Sequence, residues 1–177
     1  MSNKQNKFNK QNKFNKELWE IGRMMEDKVL PHINARYQCE FERNENNIWD
    51  VFDFMDEKNN CVVEVKSRRI KSTDYKDTII TANKVNEGYK KLDLGFQVFF
   101  IFVFTDATFE LELKEDMDFK VKITGTNSIE HCMIPIESMT QINMDDDYET
   151  DEFLREQQVI EDPQEIEDTL SSPHEPN

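Results

Sequence analysis

The residues best suited to chemistry stand close together in the middle of the chain. Asp53 is followed by ten residues and then by Glu64, and Lys66 lies two positions further on. Residues two apart in a β-strand project to the same face, so Glu64 and Lys66 would be neighbours. The rest of this predicted strand is apolar, with Cys61, Val62, Val63 and Val65. Charged side chains in such a strand are costly unless a ligand or a partner accounts for them.

A turn brings a second carboxylate to the same place. The segment Glu57-Lys58-Asn59-Asn60 has turn composition and separates predicted strands at 48–56 and 61–67. With Lys58 and Asn59 at the tip, residues whose numbers sum to 117 are paired, and Asp53 lies opposite Glu64. Two carboxylates and an ammonium group suit Mg²⁺, or Mn²⁺ in its place, and phosphodiester hydrolysis. Asp50, on the other face of its strand, is the rival carboxylate.

Helical and strand patterns alternate around this patch, which predicts an α/β (α+β) domain with a mixed sheet flanked by helices. An apolar stripe that includes Leu18, Met25 and Val29 predicts a first helix over 17–30, ending near Pro31. Strands are expected at 35–43, 48–56 and 61–67, a second helix at 77–93, a buried strand at 96–104, and further strands at 108–114 and 118–124. The predicted order is α-β-β-β-α-β-β-β.

With that order, the stretches around Asp53 and Glu64 resemble the PD-(D/E)XK nuclease superfamily. The matching residues are Trp49-Asp50-Val51-Phe52-Asp53-Phe54 and Glu64-Val65-Lys66-Ser67-Arg68-Arg69. The resemblance implies a restriction-endonuclease-like α-β-β-β-α-β core with extra C-terminal strands. It also implies that Asp53, Glu64 and the Val65 carbonyl hold the metal, and that Lys66 assists the attacking water. No proline precedes Asp53, which departs from the family pattern.

The family often adds a glutamate from the first helix, and Gly22-x-x-x-Glu26 matches that pattern. The resemblance thus implies a metal role for Glu26, whereas an ordinary helix carboxylate paired with Arg23 or Lys28 is the alternative. Members of the RecB-like branch carry Gln and Tyr on the second helix, where this chain has Lys84 and Tyr89. For Glu64 and Lys66 the alternative is an exposed pair on an edge strand, worth under about 1 kcal/mol.

A basic run follows the Glu64 strand and could contact phosphates next to the site. The candidate nucleic-acid-binding residues are Arg68, Arg69, Lys71 and Lys84. A solubilising loop is the alternative interpretation.

Charge is unevenly distributed along the 177 residues, whose net charge is -15. Residues 1–16 repeat NKQNKF and carry +5, which predicts a disordered basic arm. Residues 145–177 carry -12 and predict a disordered acidic tail, which could recruit a basic protein partner. The nuclease-like domain would occupy 17–144.

Composition indicates the cellular compartment and the type of genome that encodes the protein. Three widely spaced cysteines and the absence of an apolar leader or membrane span predict an intracellular, reducing compartment, either cytoplasm or nucleus. High Lys, Asn and Ile usage is typical of AT-rich genomes, such as those of large DNA viruses or certain protists. The leading function is a metal-dependent nuclease that acts on DNA in repair, recombination or replication, with the choice between DNA and RNA left open. The alternative is an inactive module of the same fold that binds nucleic acid or a protein.

Overall fold

A six-stranded mixed sheet carries the residues singled out above. The computed structural model describes residues 3–43, 51–124 and 128–144. In chain order the elements are α1 (Asn3–Tyr37), β1 (Glu42–Arg43), β2 (Phe54–Asp56), β3 (Cys61–Ser67), β4 (Asp77–Thr81), α2 (Ala82–Asp93), β5 (Gln97–Val103), β6 (Thr108–Glu112), β7 (Lys120–Thr124), β8 (Ile129–Pro135), a 3₁₀ turn (Ile136–Ser138) and β9 (Thr140–Ile142).

The strand order of the large sheet is β1-β2-β3-β5-β6-β9, and a second sheet has the order β4-β8-β7. Strands β3 and β5 are parallel, and the other neighbouring strands of the large sheet are antiparallel. The connection between the parallel pair contains α2, as the βαβ rule requires. This arrangement is the restriction-endonuclease-like α/β fold expected from the sequence, and β6 to β9 are the additional C-terminal strands.

Each face of the large sheet has its own apolar core. On one face, the α1 side chains Ile21, Met25, Val29 and Ile33 pack with Cys61, Val63 and Val65 of β3 and with alternate residues of β5. On the other face, Val85 of α2 packs with Val62 of β3 and with Val98, Phe100 and Phe102. The period-two alternation of β3 therefore assigns Glu64 and Lys66 to the face covered by α2.

The first helix is longer than predicted at both ends. Pro31 lies inside α1, which continues to Tyr37. An internal proline removes one helical hydrogen bond and costs about 3 kcal/mol, but Pro31 is exposed while Val29 and Ile33 on either side of it are buried. The α1 backbone is helical from Asn3, and the expectation that the basic arm is disordered when free stays a prediction. The division of the chain into arm, domain and tail stays a prediction.

Other boundaries also differ from the sequence prediction. The predicted strand at 35–43 is wrong over its first half, because α1 covers it and only Glu42–Arg43 form a strand. The predicted helix at 77–93 begins too early, since residues 77–81 form β4 and pair with β8. The β-branched residues Thr78, Ile79 and Ile80 favour this extended conformation. Part of the predicted strand at 48–56, Asp50, and the predicted acidic tail lie outside the described residues.

The buried strand at 96–104 and the strands at 108–114 and 118–124 are confirmed as β5, β6 and β7, with ends shifted by one or two residues. Near the end of α1, Arg36 forms an ion pair with Glu110 of β6, with Nε and Oε2 2.8 Å apart. This contact joins the C-terminal end of α1 to strand β6. None of the described helices is long and apolar enough to cross a membrane.

Candidate active site

The β2–β3 hairpin places Asp53 beside Glu64. Its register pairs Phe54 with Val63 and Asp56 with Cys61, so paired numbers sum to 117 as the turn composition predicts. Asp53 directly precedes β2, and its Oδ2 accepts a hydrogen bond of 2.8 Å from the Val65 backbone N–H. That bond holds the Asp53 carboxylate against the backbone of the strand that bears Glu64.

Glu64 lies in the interior of the sheet and not on an exposed edge strand. Strand β3 is paired on both sides, and Glu64 has 0% exposure. Burial raises the pKa of Glu64 to about 7, the charge of Lys66 opposes that rise, and the charge of Asp53 adds to it. The exposed surface pair considered above is therefore wrong for this residue. A fully buried carboxylate with a pKa near neutrality is typical of functional sites.

Two ammonium groups reach the Glu64 carboxylate. Lys66 forms an ion pair with Oε1, and Lys84 of α2 donates to Oε2 at 2.7 Å. Lys84 also donates to the Val51 carbonyl, just ahead of Asp53. The Lys66 side chain is 31% exposed and that of Lys84 is 22% exposed. Lys84 was predicted to bind nucleic acid, but in the structure it joins α2 to both carboxylate-bearing segments.

Glu26 lies near Asp53 but does not contact Glu64. Its Oε2 pairs with Arg43 of β1 and, at 3.4 Å, with Arg23. Burial raises the pKa of Glu26, the charge of Asp53 raises it further, and Arg43 opposes both effects. The pairing with Arg23 is the alternative foreseen from the sequence. A metal role for Glu26 stays a prediction that requires its carboxylate to leave the arginines.

The predicted phosphate-binding residues that follow Lys66 differ in their contacts and in their exposure. The Arg68 side chain binds β4, donating from Nε to Thr78 Oγ1 at 3.0 Å and from its terminal nitrogen to the Ile79 carbonyl. Its guanidinium also lies over the Phe102 ring, 5.8 Å from the centroid. Lys71 is exposed and its backbone N–H donates to Asp74, while Arg69 is half-buried. The described contacts of Arg68 thus join the end of β3 to the second sheet.

Besides Glu26-Asp27-Lys28 on α1, the chain contains a second Glu-x-Lys tripeptide in the large sheet, Glu112-Leu113-Lys114, at the end of β6. Glu112 and Lys114 also form an ion pair, but their side chains are 37% and 52% exposed. Across the β5–β6 ladder, the residue opposite Glu112 is Phe99. Glu112 therefore lacks the opposing carboxylate that Asp53 provides for Glu64. This tripeptide is a natural comparison for the buried one.

The hard oxygen donors around Glu64 fit a divalent cation. Glu64 Oε1 is buried and forms an ion pair with Lys66, but it accepts no hydrogen bond of normal geometry from the part of the chain that the structure describes. By contrast, the Asp56 carboxylate accepts hydrogen bonds from the Glu40 N–H and from Asn59, which lower its pKa to about 2. Asp56 is thus occupied in holding the turn, whereas Glu64 retains an acceptor of the kind Mg²⁺ prefers.

A complete ligand cage is not preassembled. Within residues 3–43, 51–124 and 128–144, no three His, Cys, Asp or Glu side chains lie close enough together to hold a metal ion. Asp53, Glu64 and the Val65 carbonyl are the oxygen donors that the hairpin brings together. A Mg²⁺ ion commonly takes one or two protein carboxylates and completes its coordination with water and substrate oxygens.

This fold, with Asp53 opposite the Glu64-Val65-Lys66 tripeptide on a central strand, defines a protein of the PD-(D/E)XK nuclease class. A protein-family model described as "Phage putative PDDEXK endonuclease" matches residues 20–149, and the chain belongs to that family. The resemblance inferred from the sequence is thereby confirmed. Searches of curated proteins and of solved structures found no match.

Sequence reasoning missed two features of the site. The first is the contact of Lys84 with Glu64, because a helical wheel places Lys84 about 100° from the apolar stripe of α2 and leaves its direction open. The second is Arg43, which pairs with Glu26 and with Asp27. Nothing in the local sequence signals Arg43, since its partners lie on α1 and are 16 and 17 residues away.

Proposed function

We propose that this protein is a metal-dependent nuclease that hydrolyses phosphodiester bonds in DNA. The observation that carries the proposal is the fully buried Glu64, opposite Asp53 and contacted by Lys66 and Lys84. Membership of a PDDEXK endonuclease family supports nuclease activity in general. We infer Mg²⁺, or Mn²⁺ in its place, from the oxygen donors, and DNA in preference to RNA from the family resemblance.

In this proposal Asp53, Glu64 and the Val65 carbonyl hold the cation. When bound, it would stabilise negative charge on the scissile phosphate and favour deprotonation of the attacking water. Hydrolysis forms a bond between the water oxygen and phosphorus, breaks the bond to the leaving oxygen, and places a proton on the leaving group. Lys66, the more exposed ammonium group, would orient the water and offset charge that develops on the phosphate.

In this proposal Lys84 is a positioning residue. It donates to Glu64 and to the Val51 carbonyl, so it holds the segment before Asp53 at a fixed position relative to β3. The charges of Asp53, Glu64, Lys66 and Lys84 cancel one another. The site is therefore less repulsive to a phosphate than the net charge of the chain implies.

The test is cleavage of single-stranded, duplex and branched DNA and of RNA by the full chain, with Mg²⁺ or Mn²⁺ and with a chelator. We expect Glu64→Gln and Lys66→Met each to lower the single-turnover rate about 10²- to 10⁴-fold, because each removes a group that acts at the reacting phosphate. An intact rate in Glu64→Gln would refute the assignment.

The exposed tripeptide supplies matched controls. Glu112→Gln and Lys114→Met make the same chemical changes in an ion pair that is 37% and 52% exposed. Both variants should cleave at the rate of the natural chain. Equal losses in the two pairs of variants would mean that cleavage depends on overall charge or on a contaminant.

An inactive nuclease-fold module is the second candidate. It is favoured by the pairing of both Glu64 oxygens with ammonium groups and by the absence of a three-ligand cluster among the described residues. Titration calorimetry separates the two candidates. Heat of Mg²⁺ binding that disappears in Glu64→Gln supports the enzyme, whereas no heat in either chain, together with no cleavage, supports the module.

We further propose a reducing compartment and a viral origin for this protein. Three free, buried cysteines, Cys39, Cys61 and Cys132, are consistent with a reducing compartment. The family description names phage, which supports a virus-encoded protein, and a role in DNA repair, recombination or replication stays a prediction. A basic protein partner for the acidic tail and the oligomeric state are open to pull-down and sedimentation measurements.

A further inference from the structure

The N-terminal part of α1 extends beyond the apolar core. The helix has 35 residues, which corresponds to a length of about 52 Å. Ile21 is its first buried residue among those whose side chains are described, and Lys16, Trp19 and Glu20 are all exposed. The stretch from Asn3 to Ile21 corresponds to about 27 Å of helix ahead of the first buried residue that the structure describes.

This projecting stretch, residues 3–16, is here called the basic helical arm, and its sequence has a strict period of three. Asn-Lys occurs five times, with lysines at positions 4, 7, 10, 13 and 16, and no acidic residue interrupts them. A step of three residues falls about 60° short of a full helical turn, so the five positions cover about 240° of the helix circumference. Positive charge is therefore distributed around the arm and not confined to one face.

The arm contrasts with the rest of the chain. The remaining residues carry a net charge of -20 when the +5 of the arm is set aside. Several cations of the folded part are engaged in ion pairs with carboxylates. Arg36 pairs with Glu110, Arg43 with Glu26, and Lys84 with Glu64.

We propose that the basic helical arm binds the phosphate backbone of duplex DNA. Lys4 to Lys16 spans about 18 Å of helix, and duplex DNA presents about ten phosphate charges over that length. The major groove, about 12 Å wide, admits one α-helix. Lysine positions on opposite sides of the helix match the two phosphate walls of the groove. The choice of DNA as partner rests on the proposed function, and the arm deepens it by providing affinity away from the site.

The test measures DNA affinity of the full chain without cleavage. A fluorescent 30-base-pair duplex is titrated in EDTA at several concentrations between about 50 and 200 mM salt, and log K is plotted against log salt. The arm variant carries Lys4→Gln, Lys7→Gln, Lys10→Gln and Lys13→Gln. Gln and Lys have similar helix propensities, so the helix is retained, which circular dichroism checks. Lys16 is left unchanged because it pairs with Glu20 at 3.6 Å.

A matched control makes the same change in charge elsewhere on the exposed surface. It carries Lys28→Gln, Lys58→Gln, Lys120→Gln and Lys122→Gln. We expect the salt slope to fall by about 3.6 in the arm variant, since each of the four lost phosphate contacts removes about 0.9. The control should change the slope by less than about 1. Equal slopes in the two variants, or no binding by the natural chain at the lowest salt, would overturn the proposal.

The acidic tail is the competing partner for the arm, and lysine acetylation read by mass spectrometry separates the two. If the arm binds DNA, Lys4 to Lys13 react in the free chain and become protected when duplex is added. If they are protected beforehand and do not change with DNA, the tail holds them and the proposal is wrong. A chain that binds through the arm without cleaving would refute only the nuclease function, whereas a cleaving chain with an unchanged slope would refute only the arm.

Discussion

The two Glu-x-Lys tripeptides of the large sheet show how position in the sheet separates a pair with a buried glutamate from a surface pair. Glu64-Val65-Lys66 lies on central strand β3, with Glu64 at 0% exposure, whereas Glu112 is 37% exposed at the end of β6. Both glutamates contact the lysine of their own tripeptide. Only Glu64 is also reached by a lysine from a helix packed above it and faces an aspartate across a hairpin. The same local pattern therefore has two environments, which tertiary packing creates.

The middle residues of the two tripeptides, Val65 and Leu113, are both buried in the core, on opposite faces of the large sheet. Leu113 is 1% exposed and belongs to the core beneath α2. We expect Leu113→Ala to lower the free energy of unfolding by about 2 to 5 kcal/mol, since it removes buried methyl groups and leaves a cavity. Urea denaturation measures the change. A loss below about 1 kcal/mol would show that the second tripeptide does not anchor this core.

Glu64 and Glu112 should differ in their effect on the pH dependence of the free energy of unfolding, measured in the presence of a chelator. Burial raises the pKa of Glu64 from 4.5 to about 7, so the folded chain binds more protons than the unfolded chain in that interval. The contribution of the Glu64 carboxyl group to the stability of the folded chain is therefore lost as pH rises from about 4.5 through 7. Glu64→Gln removes this loss, and at pH 8 the variant should be more stable than the natural chain by about 1 to 3 kcal/mol.

The control for that measurement is Glu112→Gln, which should change stability by less than about 0.5 kcal/mol at every pH. The advantage of Glu64→Gln should diminish as pH falls towards 4.5. If Glu64→Gln is instead the less stable chain at pH 8, the two ammonium groups stabilise the Glu64 charge by more than burial penalises it.

Two helical glycines give the smallest expected effects, and these differ in sign. A Cβ on Gly88 of α2 would lie 2.7 Å from Leu113 Cδ2, whereas a Cβ on Gly22 of α1 meets nothing within 4 Å. Gly88→Ala should destabilise the protein by about 1 kcal/mol, because the clash outweighs the gain in helix propensity. Gly22→Ala should stabilise it by about 0.5 to 1 kcal/mol. Thermal unfolding of both variants measures the difference.

If Gly88→Ala stabilises the protein as Gly22→Ala does, α2 does not pack closely against Leu113. The position of Lys84, four residues earlier on α2, would then need another explanation. The glycine pair thus checks the packing that directs Lys84 towards Glu64.

Much of the fold followed from local patterns, and the exceptions have physical causes. The alternation in β3 and the turn at 57–60 predicted the hairpin register correctly. The helix end at Pro31 and the helix start at residue 77 were wrong, because burial of Val29 and Ile33 and the pairing of β4 with β8 outweigh local preference. Neither of those stabilising contacts is local in sequence.

The sequence by itself determined the hairpin register that brings Asp53 beside Glu64, because turn chemistry and the two-residue period of a strand act over a few residues. It also supplied the charged groups and their uneven distribution along the chain. Only the tertiary structure decided which Glu-x-Lys pair is buried, that Lys84 reaches Glu64, and that Arg68 binds β4. Those outcomes depend on how distant strands and helices pack, since burial removes a charge from water and makes each nearby ion pair stronger.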